Sequence, residues 1–522
     1  MALLRFSFTV GFYTLLSRIL GFARDILIAR YLGSTGVVEA FVVALRFPNL
    51  FRRLVGEGAF TAAFVPMFSR RLEGEGRPGA LAFADQSFAV LVAGLLVFTV
   101  LGEIFMPWLM YAIAPGFGHD PALFDLAVLF TRITLPYLMC MALLALYSGM
   151  LNSIYRFAAA AAVPILFNII LIGAMVIARS WFPTPGHALA WAVALAGFAQ
   201  LLWIVVVARR AGLALRLPRP RLTPEVRQLL RLMVPGAIGA GVSQINLLIG
   251  TIIATFIPGA VSFLYFADRV YQFPLGIIGV AIGTALLPDL SRKLVRDPAS
   301  AMDVQNRAIE IALLFTLPAA ATMLAIPESL STILFQYGAF SRADAAATGG
   351  ALAAFAVGLP GYVMIRVLTP GFFARHDTTR PVYYAIVGVL VNVALSLALV
   401  WSLRHVGIAL ATAVAAWVNA ALLAAALARR GHLVLDAGLR RRLPRLVLAA
   451  VAMGAALVPT ADRLEALLTG GAPARILALA VFAAVASVVY FGLVFLLRAA
   501  DTSDFKALLR RRRPAPTSAP GS

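Results

Sequence analysis

Apolar runs of about twenty residues recur along almost the whole chain, and this recurrence leaves one class of fold open. A helix of that length crosses the hydrocarbon of a bilayer. Spans of a β-barrel would be shorter and strictly alternating, whereas these runs are continuous and rich in Leu, Ala and Val. Of the 522 residues, 61% are hydrophobic and 13% charged; a soluble domain has about 45–50% and about 25%. The expected fold is therefore an all-α polytopic membrane protein with about 14 transmembrane helices. They are expected at 7–32, 36–68, 86–112, 123–151, 158–180, 187–209, 227–257, 260–291, 305–328, 345–374, 381–403, 406–429, 443–461 and 473–498. Pro48, Pro136, Pro274 and Pro360 fall inside long spans, which predicts bends or breaks there.

The formal net charge of +21 is almost wholly arginine, with lysine only at Lys293 and Lys506. In a soluble chain that balance would point to nucleic acid. Between membrane spans it sets topology instead, so no nucleic-acid partner is expected. Arginine clusters in alternate loops, at Arg70, Arg71 and Arg77, Arg209 to Arg221, Arg292 to Arg296, Arg375 and Arg380, and Arg429 to Arg442. The intervening loops GSTGV, APGFGHDPALFD and IPGAVS are poor in it. Both termini are accordingly expected in the cytoplasm. The N-terminus lacks an A-x-A cleavage pattern and reads as a retained first helix. Cys140 is the only cysteine, so no internal disulfide is expected.

The chain also repeats itself. FPNLFRR resembles FPLGIIG, and Pro48 pairs with Pro274, Pro66 with Pro288, Pro136 with Pro360 and Asn168 with Asn392, at an offset of about 224 residues. Each repeat holds six spans, an even number, so the two halves are expected as parallel repeats around a central cavity. The domain boundaries that follow are a six-helix lobe at 1–222, a second at 223–436, two extra helices at 437–500 and a basic tail at 501–522.

Charge inside the spans is the functional signal. VVEAFVVALRFPNLFRRLVGEGAFTAAFVPMF carries Glu39, Arg46, Arg52, Arg53 and Glu57. One charge at the centre of a spanning helix costs about 2.5–3.5 kcal/mol on insertion scales. Five facing lipid would cost on the order of 10 kcal/mol or more, so they must face protein or water. Glu39, Arg46 and Arg53 recur every seven residues, and Glu57 follows Arg53 by one turn, so all four share a stripe on a helix. Arg18 and Asp25 are spaced by seven in the first span, and Asp268 and Arg269 sit in the eighth. Arginines outnumber acids in this set. A guanidinium stays ionised and grips phosphate or carboxylate through two parallel hydrogen bonds. The expected ligand is anionic, with phosphate the best match; the alternative is that these charges pair internally and fix helix packing. There is no GxxxxGK[ST], HExxH, GxSxG or paired CxxC, so no enzyme, metal site or cofactor is expected. The transmembrane potential then stands as the energy source.

At these residues the chain resembles the MurJ/MviN lipid II flippases, within the superfamily of multidrug, oligosaccharidyl-lipid and polysaccharide exporters. The resemblance covers about the whole length. It is strongest in SRILGFARDILIARYLG, EAFVVALRFPNLFRRLVGEGAFTAAFVP, FADRVYQFPLGIIGVAIGTALLP and TPGFFARHDTTRPV. It implies two six-helix lobes around a cationic cavity, with two extra C-terminal helices forming a groove for the lipid tail. It implies flipping of lipid II, the polyprenyl-pyrophosphate-linked peptidoglycan precursor, from the cytoplasmic to the periplasmic leaflet of the bacterial inner membrane. Membrane lipids and proteins of cell-wall synthesis are the further partners it suggests. The family's essential arginines fall on Arg18, Arg24, Arg52 and Arg269, with supporting charges at Asp25, Glu39, Arg46, Arg53, Glu57 and Asp268. Glu39 stands where an aspartate is common, and Gln272 where a glutamate is common. Some relatives carry a sodium site with carboxylates in the second lobe, where this chain offers Asn392 and Thr412. Flipping of another polyprenyl-linked polysaccharide, or drug or cation antiport, is the alternative within the superfamily; an acidic cavity would favour the antiporter.

Overall fold

The computed structural model describes residues 2–51 and 60–499, and every regular element among them is helical. In chain order these are α1 (Ala2–Leu32), α2 (Gly36–Phe51), α3 (Phe60–Gly74), α4 (Gly76–Ile104), α5 (Met106–Ile113), α6 (Pro121–Thr134), α7 (Pro136–Ser153), α8 (Ala158–Gly173), α9 (Pro185–Arg210) and α10 (Pro224–Ala254). There follow α11 (Ala260–Pro274), α12 (Val280–Arg296), α13 (Pro298–Ala325), α14 (Pro327–Phe335), α15 (Arg342–Phe373), α16 (Thr379–Arg429), α17 (Ala437–Arg463), α18 (Glu465–Leu468) and α19 (Ala472–Leu496). Among the described residues, nine helical segments are long and apolar enough to cross a membrane. The range 36–68 carries α2 and α3; Arg52, Arg53 and Glu57 lie outside the described residues.

The breaks follow the prolines. Pro136 opens α7 straight after α6, and Pro274 closes α11, after which Leu275–Gly279 forms a π turn. Pro48 and Pro360 are absorbed inside α2 and α15. The expected gap between 403 and 406 is a kink within α16, where Arg404 takes φ 50° and ψ −131°.

Two compact units divide the chain. The first comprises Met1–Gln272, Leu334–Gly358 and Thr379–Asn419. In hydrocarbon, helices gain nothing from leaving water, so close packing and polar ties must hold them together. The spacing in FTAAFVPMF puts Phe60, Phe64 and Phe68 on one face of α3. Their rings stack at 5.1 and 5.6 Å, and Phe83 of α4 stacks on Phe64 at 5.5 Å. Gln200 of α9 donates to the Val163 carbonyl of α8 at 2.8 Å.

The arginine-poor loops of this unit meet one another. Gly116 N donates to Thr255 Oγ1 at 3.1 Å, Ala339 N to the Arg30 carbonyl at 2.9 Å, and Ser262 Oγ to the Ser34 carbonyl at 3.4 Å. Ser34 also hydrogen-bonds Asp344. Arginine-rich segments meet separately: Arg71 pairs with Glu225 at 3.7 Å, and Arg216 N donates to Asp85 at 2.8 Å. Loops sorted by arginine content are thus sorted in space.

Gly338 shows how tight the first set is. Its φ is +59°, and a Cβ there would run into the Arg30 carbonyl oxygen at the end of α1. Gly338→Ala is therefore expected to cost about 1–3 kcal/mol. The thermal midpoint in detergent should fall by several degrees, while Gly94→Ala, where a Cβ meets nothing within 4 Å, leaves it unchanged.

The second unit comprises Phe273–Ile333, Leu359–Thr378 and Ala420–Ser522. Here α13 packs along α17, and α17 along α19. Tyr490 of α19, 1% exposed, donates its hydroxyl to the Leu314 carbonyl of α13 at 2.8 Å. Arg475, at the start of α19, donates to the Thr332 carbonyl of α14 at 3.3 Å.

Candidate functional site

Three helices of the first unit converge on Asp25. Helix α1 runs unbroken through Gly21, so Arg18 and Asp25 do lie two turns apart on one face. Arg24 donates to Asp25 Oδ1 from Nε at 3.0 Å and from Nη2 at 2.7 Å. Its Nη1 donates to Asn168 Oδ1 of α8 at 3.0 Å, and Asn168 Nδ2 donates in turn to the Ser17 carbonyl at 3.0 Å. From α11, the Tyr265 hydroxyl donates to Asp25 Oδ1 at 2.8 Å. Arg269 Nε stands 3.5 Å from Asp25 Oδ2, and its guanidinium lies over the Tyr265 ring, 4.6 Å from the centroid. Tyr265 and Arg269 are one turn apart, so one helical face delivers both.

The electrostatics of this node are lopsided. One carboxylate, 3% exposed, serves two guanidiniums that are 13% and 35% exposed. A buried carboxylate needs such partners, because an isolated buried charge is costly. Asp25 alone leaves one of these two charges unbalanced; Asp268, beside Arg269 on α11, offsets it in part, Arg18 on the Asp25 face of α1 adds another cation, and Arg269 is the more accessible of the pair. An anion with two or more oxygens is the chemical complement.

The remaining expected residues divide. Arg18 is half-buried and has no hydrogen bond or ion pair among the described residues. Asp268 accepts a hydrogen bond from Gln272 one turn on. Arg46 is half-buried, two turns from Glu39 on α2. Glu39 is 4% exposed and turned away from the arginines: its Oε1 accepts from Val261 N at 3.1 Å, at the N-terminus of α11. An acid there complements the positive end of the helix dipole and meets its unpaired amides. Arg52, Arg53 and Glu57 lie outside the described residues.

The repeat-related position carries a different node. Asn392 Nδ2 donates to Asn246 Oδ1 at 2.7 Å, while Thr412 and Ser396 hydroxyls donate to Asn392 Oδ1 at 3.2 and 3.4 Å. Asn168 and Asn392 thus each tie helices together, one beside charges and the other among neutral groups.

Tyr265 and Asn168 are the site residues that sequence reasoning did not assign. A tyrosine in an apolar run reads as packing, but its place one turn before Arg269 is a usable signal. Asn168 was visible as half of a repeat pair, without its role.

The sequence profile described as "Lipid II flippase MurJ" matches residues 28–501. A "Probable lipid II flippase MurJ" from Rhizobium tropici is 44% identical over 525 residues, covering 99% of this chain and 98% of the relative. One of the same description from Rhizobium meliloti (strain 1021) is 45% identical, covering 98% and 97%. Among solved structures, "Lipid II flippase MurJ, inward closed conformation" superposes with a TM-score of 0.77 at 23% identity, covering 96% of this chain and 99% of that one. A multidrug resistance MATE family transporter in an inward-facing conformation gives 0.67 at 16% identity, covering 79% and 94%. At those identities the structural likeness speaks to fold alone.

Proposed function

The chain belongs to the lipid II flippase MurJ family, and from that premise we propose how it moves lipid II from the cytoplasmic to the periplasmic leaflet: Arg24 and Arg269, gathered on Asp25, hold the pyrophosphate. The observation that carries this reading is the single buried carboxylate shared by two guanidiniums. Arg18 lies on the Asp25 face of α1 and adds a third cation; Arg52 joins them by resemblance. Two six-helix lobes at 1–222 and 223–436, with a cavity between them that opens to each side in turn, are the architecture this mechanism uses.

The protein is a multi-pass protein of the bacterial inner membrane. We place both termini in the cytoplasm. The sorting of arginine-rich from arginine-poor loops supports that orientation. So do exposed Trp108 and Trp181 at helix ends, and exposed Trp401 beside the kink of α16, on the arginine-poor side, where indole rings sit at a membrane interface. The ties among arginine-poor loops, with Glu39 on the α11 amides, then close the periplasmic side. Opening to the periplasm requires them to part, and the lipid is carried without chemical change.

Energy comes from the transmembrane potential. An inside-negative potential drives a negative charge outward, yielding about 2.3 kcal/mol per charge per 100 mV, and a pyrophosphate carries more than one. Sodium does not fit the second node. Hard cations are held by oxygen ligands, carboxylates among them. Asn392, Thr412, Ser396 and Asn246 supply none, and the amide oxygens of both asparagines already accept hydrogen bonds.

Labelled lipid II in liposomes, with a membrane-impermeant quencher outside, tests the reading. The purified chain should accelerate exchange of the label between leaflets, equally in sodium and in choline. An inside-negative potential should speed outward movement. Absence of chain-dependent exchange would overturn the flippase reading, and a requirement for sodium would overturn the neutral-node reading.

A further inference from the structure

Two arginines at the ends of α1 and α8 belong neither to the node at Asp25 nor to the arginine-rich loops. Arg30 lies in the last turn of α1, and Arg179 opens the 3-10 turn Arg179–Trp181 that prolongs α8. Both guanidiniums gather on one ring. The central guanidinium carbon of Arg179 is 4.1 Å from the Tyr31 centroid, and that of Arg30 is 5.7 Å from it. Arg179 Nη1 also donates to the Met175 carbonyl at 3.3 Å. The main chain of Arg30 is fixed by Ala339 N, which donates to its carbonyl at 2.9 Å. Arg30 is exposed and Arg179 half-buried, and neither has an ion pair among the described residues. Beside them Val176, Ile177 and Trp181 are exposed.

Two like charges drawn to one place without an acid repel each other, and a tyrosine face attracts each of them only weakly. Anchoring a helix end at a membrane surface needs a single snorkelling cation, not two brought onto one ring. Topology gives no reason for them either, since the positive-inside bias disfavours arginine on this side. An anion taken up by both would complete the arrangement. We propose that Arg30 and Arg179, set on Tyr31, receive the pyrophosphate of the lipid as it reaches the outer leaflet. This deepens the transport reading above and rests on its orientation and substrate. Arg30 stands six residues beyond Arg24, a rise of about 9 Å along α1 toward the arginine-poor loops. Asn168 joins α8 to α1 at Arg24, so the same two helices present guanidiniums at two depths. At the outer one no carboxylate pairs with either cation among the described residues, so none competes with the lipid there. A diphosphate has oxygens for a two-pronged contact with each guanidinium. An anionic phospholipid of the outer leaflet offers related chemistry with one phosphate, and the test separates the two.

Native mass spectrometry of the full chain, titrated with undecaprenyl pyrophosphate and separately with phosphatidylglycerol, examines the site. All chains carry Arg269→Ala, so that binding at Asp25 does not mask the result. Arg30→Gln/Arg179→Gln is compared with Arg209→Gln/Arg210→Gln, which removes two exposed arginines at the end of α9 and makes the same net-charge change. The first variant should bind undecaprenyl pyrophosphate at least about tenfold more weakly than the second, the loss expected when charge-assisted contacts go. Such a loss, with or without weaker binding of phosphatidylglycerol, supports the proposal. Loss of phosphatidylglycerol alone assigns the pair to a resident phospholipid and overturns it. Equal binding of undecaprenyl pyrophosphate by the two variants overturns it as well, and a lowered thermal midpoint alongside equal binding would mark the pair as structural. Arg179→Gln alone leaves α1 untouched and stands in should the double variant misfold. Because the readout is binding away from Asp25, it can fail while leaflet exchange succeeds, and the reverse.

Discussion

Arg269→Ala is expected to abolish lipid II transport while leaving the protein folded in the membrane. Arg269 is the most exposed of the cations at Asp25, and its Nε stands 3.5 Å from the carboxylate, longer than an ordinary charged hydrogen bond. Its removal leaves Asp25 Oδ1 bonded to Arg24 and to the Tyr265 hydroxyl and takes from Oδ2 only a contact of 3.5 Å, so the fold loses little. The substrate loses much more. Each hydrogen bond to a charged group is worth about 1.5–3 kcal/mol, and a pyrophosphate would take two from one guanidinium. A loss of about 3–6 kcal/mol corresponds to at least a hundredfold in binding. Arg269→Lys keeps the charge but gives up the planar fork, and transport should fall about tenfold. Leaflet exchange of labelled lipid II reads both effects, and the thermal midpoint checks the fold. Parent-like exchange by Arg269→Ala would remove this residue from the mechanism.

Helix positions were legible because the bilayer sets them: a run such as 158–180 has no other stable home, and α8 followed by its π and 3-10 turns occupies it. The kink at Arg404 was legible as a gap in hydropathy. The site was legible only in part. Arg24, Asp25 and Arg269 stood out because charge is rare inside spans, and the structure brings these three together. Glu39 stood on the same stripe as Arg46, yet its partner is a main-chain amide 222 residues away in sequence, and no side-chain pattern reports a main-chain amide. Tyr265 was hidden for the opposite reason, since aromatic residues are common in apolar helices and only a third helix shows where the hydroxyl goes.

Asp25→Ala should separate two roles that one carboxylate combines. Asp25 is the internal counter-ion of Arg24 and Arg269, and a bound pyrophosphate must compete with it for the same donors. Without it, two guanidiniums face each other across the node with no acid between them. Breaking a buried ionic cluster by removing one partner costs about 3–5 kcal/mol, and the partial exposure of Arg269 puts the value near the lower end, about 3 kcal/mol. The thermal midpoint should therefore drop. A pyrophosphate lipid should restore it, and should stabilise Asp25→Ala more than the parent chain, since a ligand that binds only the folded state stabilises according to its affinity. Transport should nonetheless be lost: tighter holding of the substrate in the resting state does not help a step that requires release. Asp25→Asn keeps the shape and an acceptor for Tyr265 but not the charge, so it should hold the lipid more tightly than the parent while exchanging it more slowly. Thermal unfolding with and without undecaprenyl pyrophosphate, set beside leaflet exchange, measures both halves of the argument. If the lipid stabilises Asp25→Ala and the parent chain equally, Asp25 does not compete with phosphate and its role is structural only.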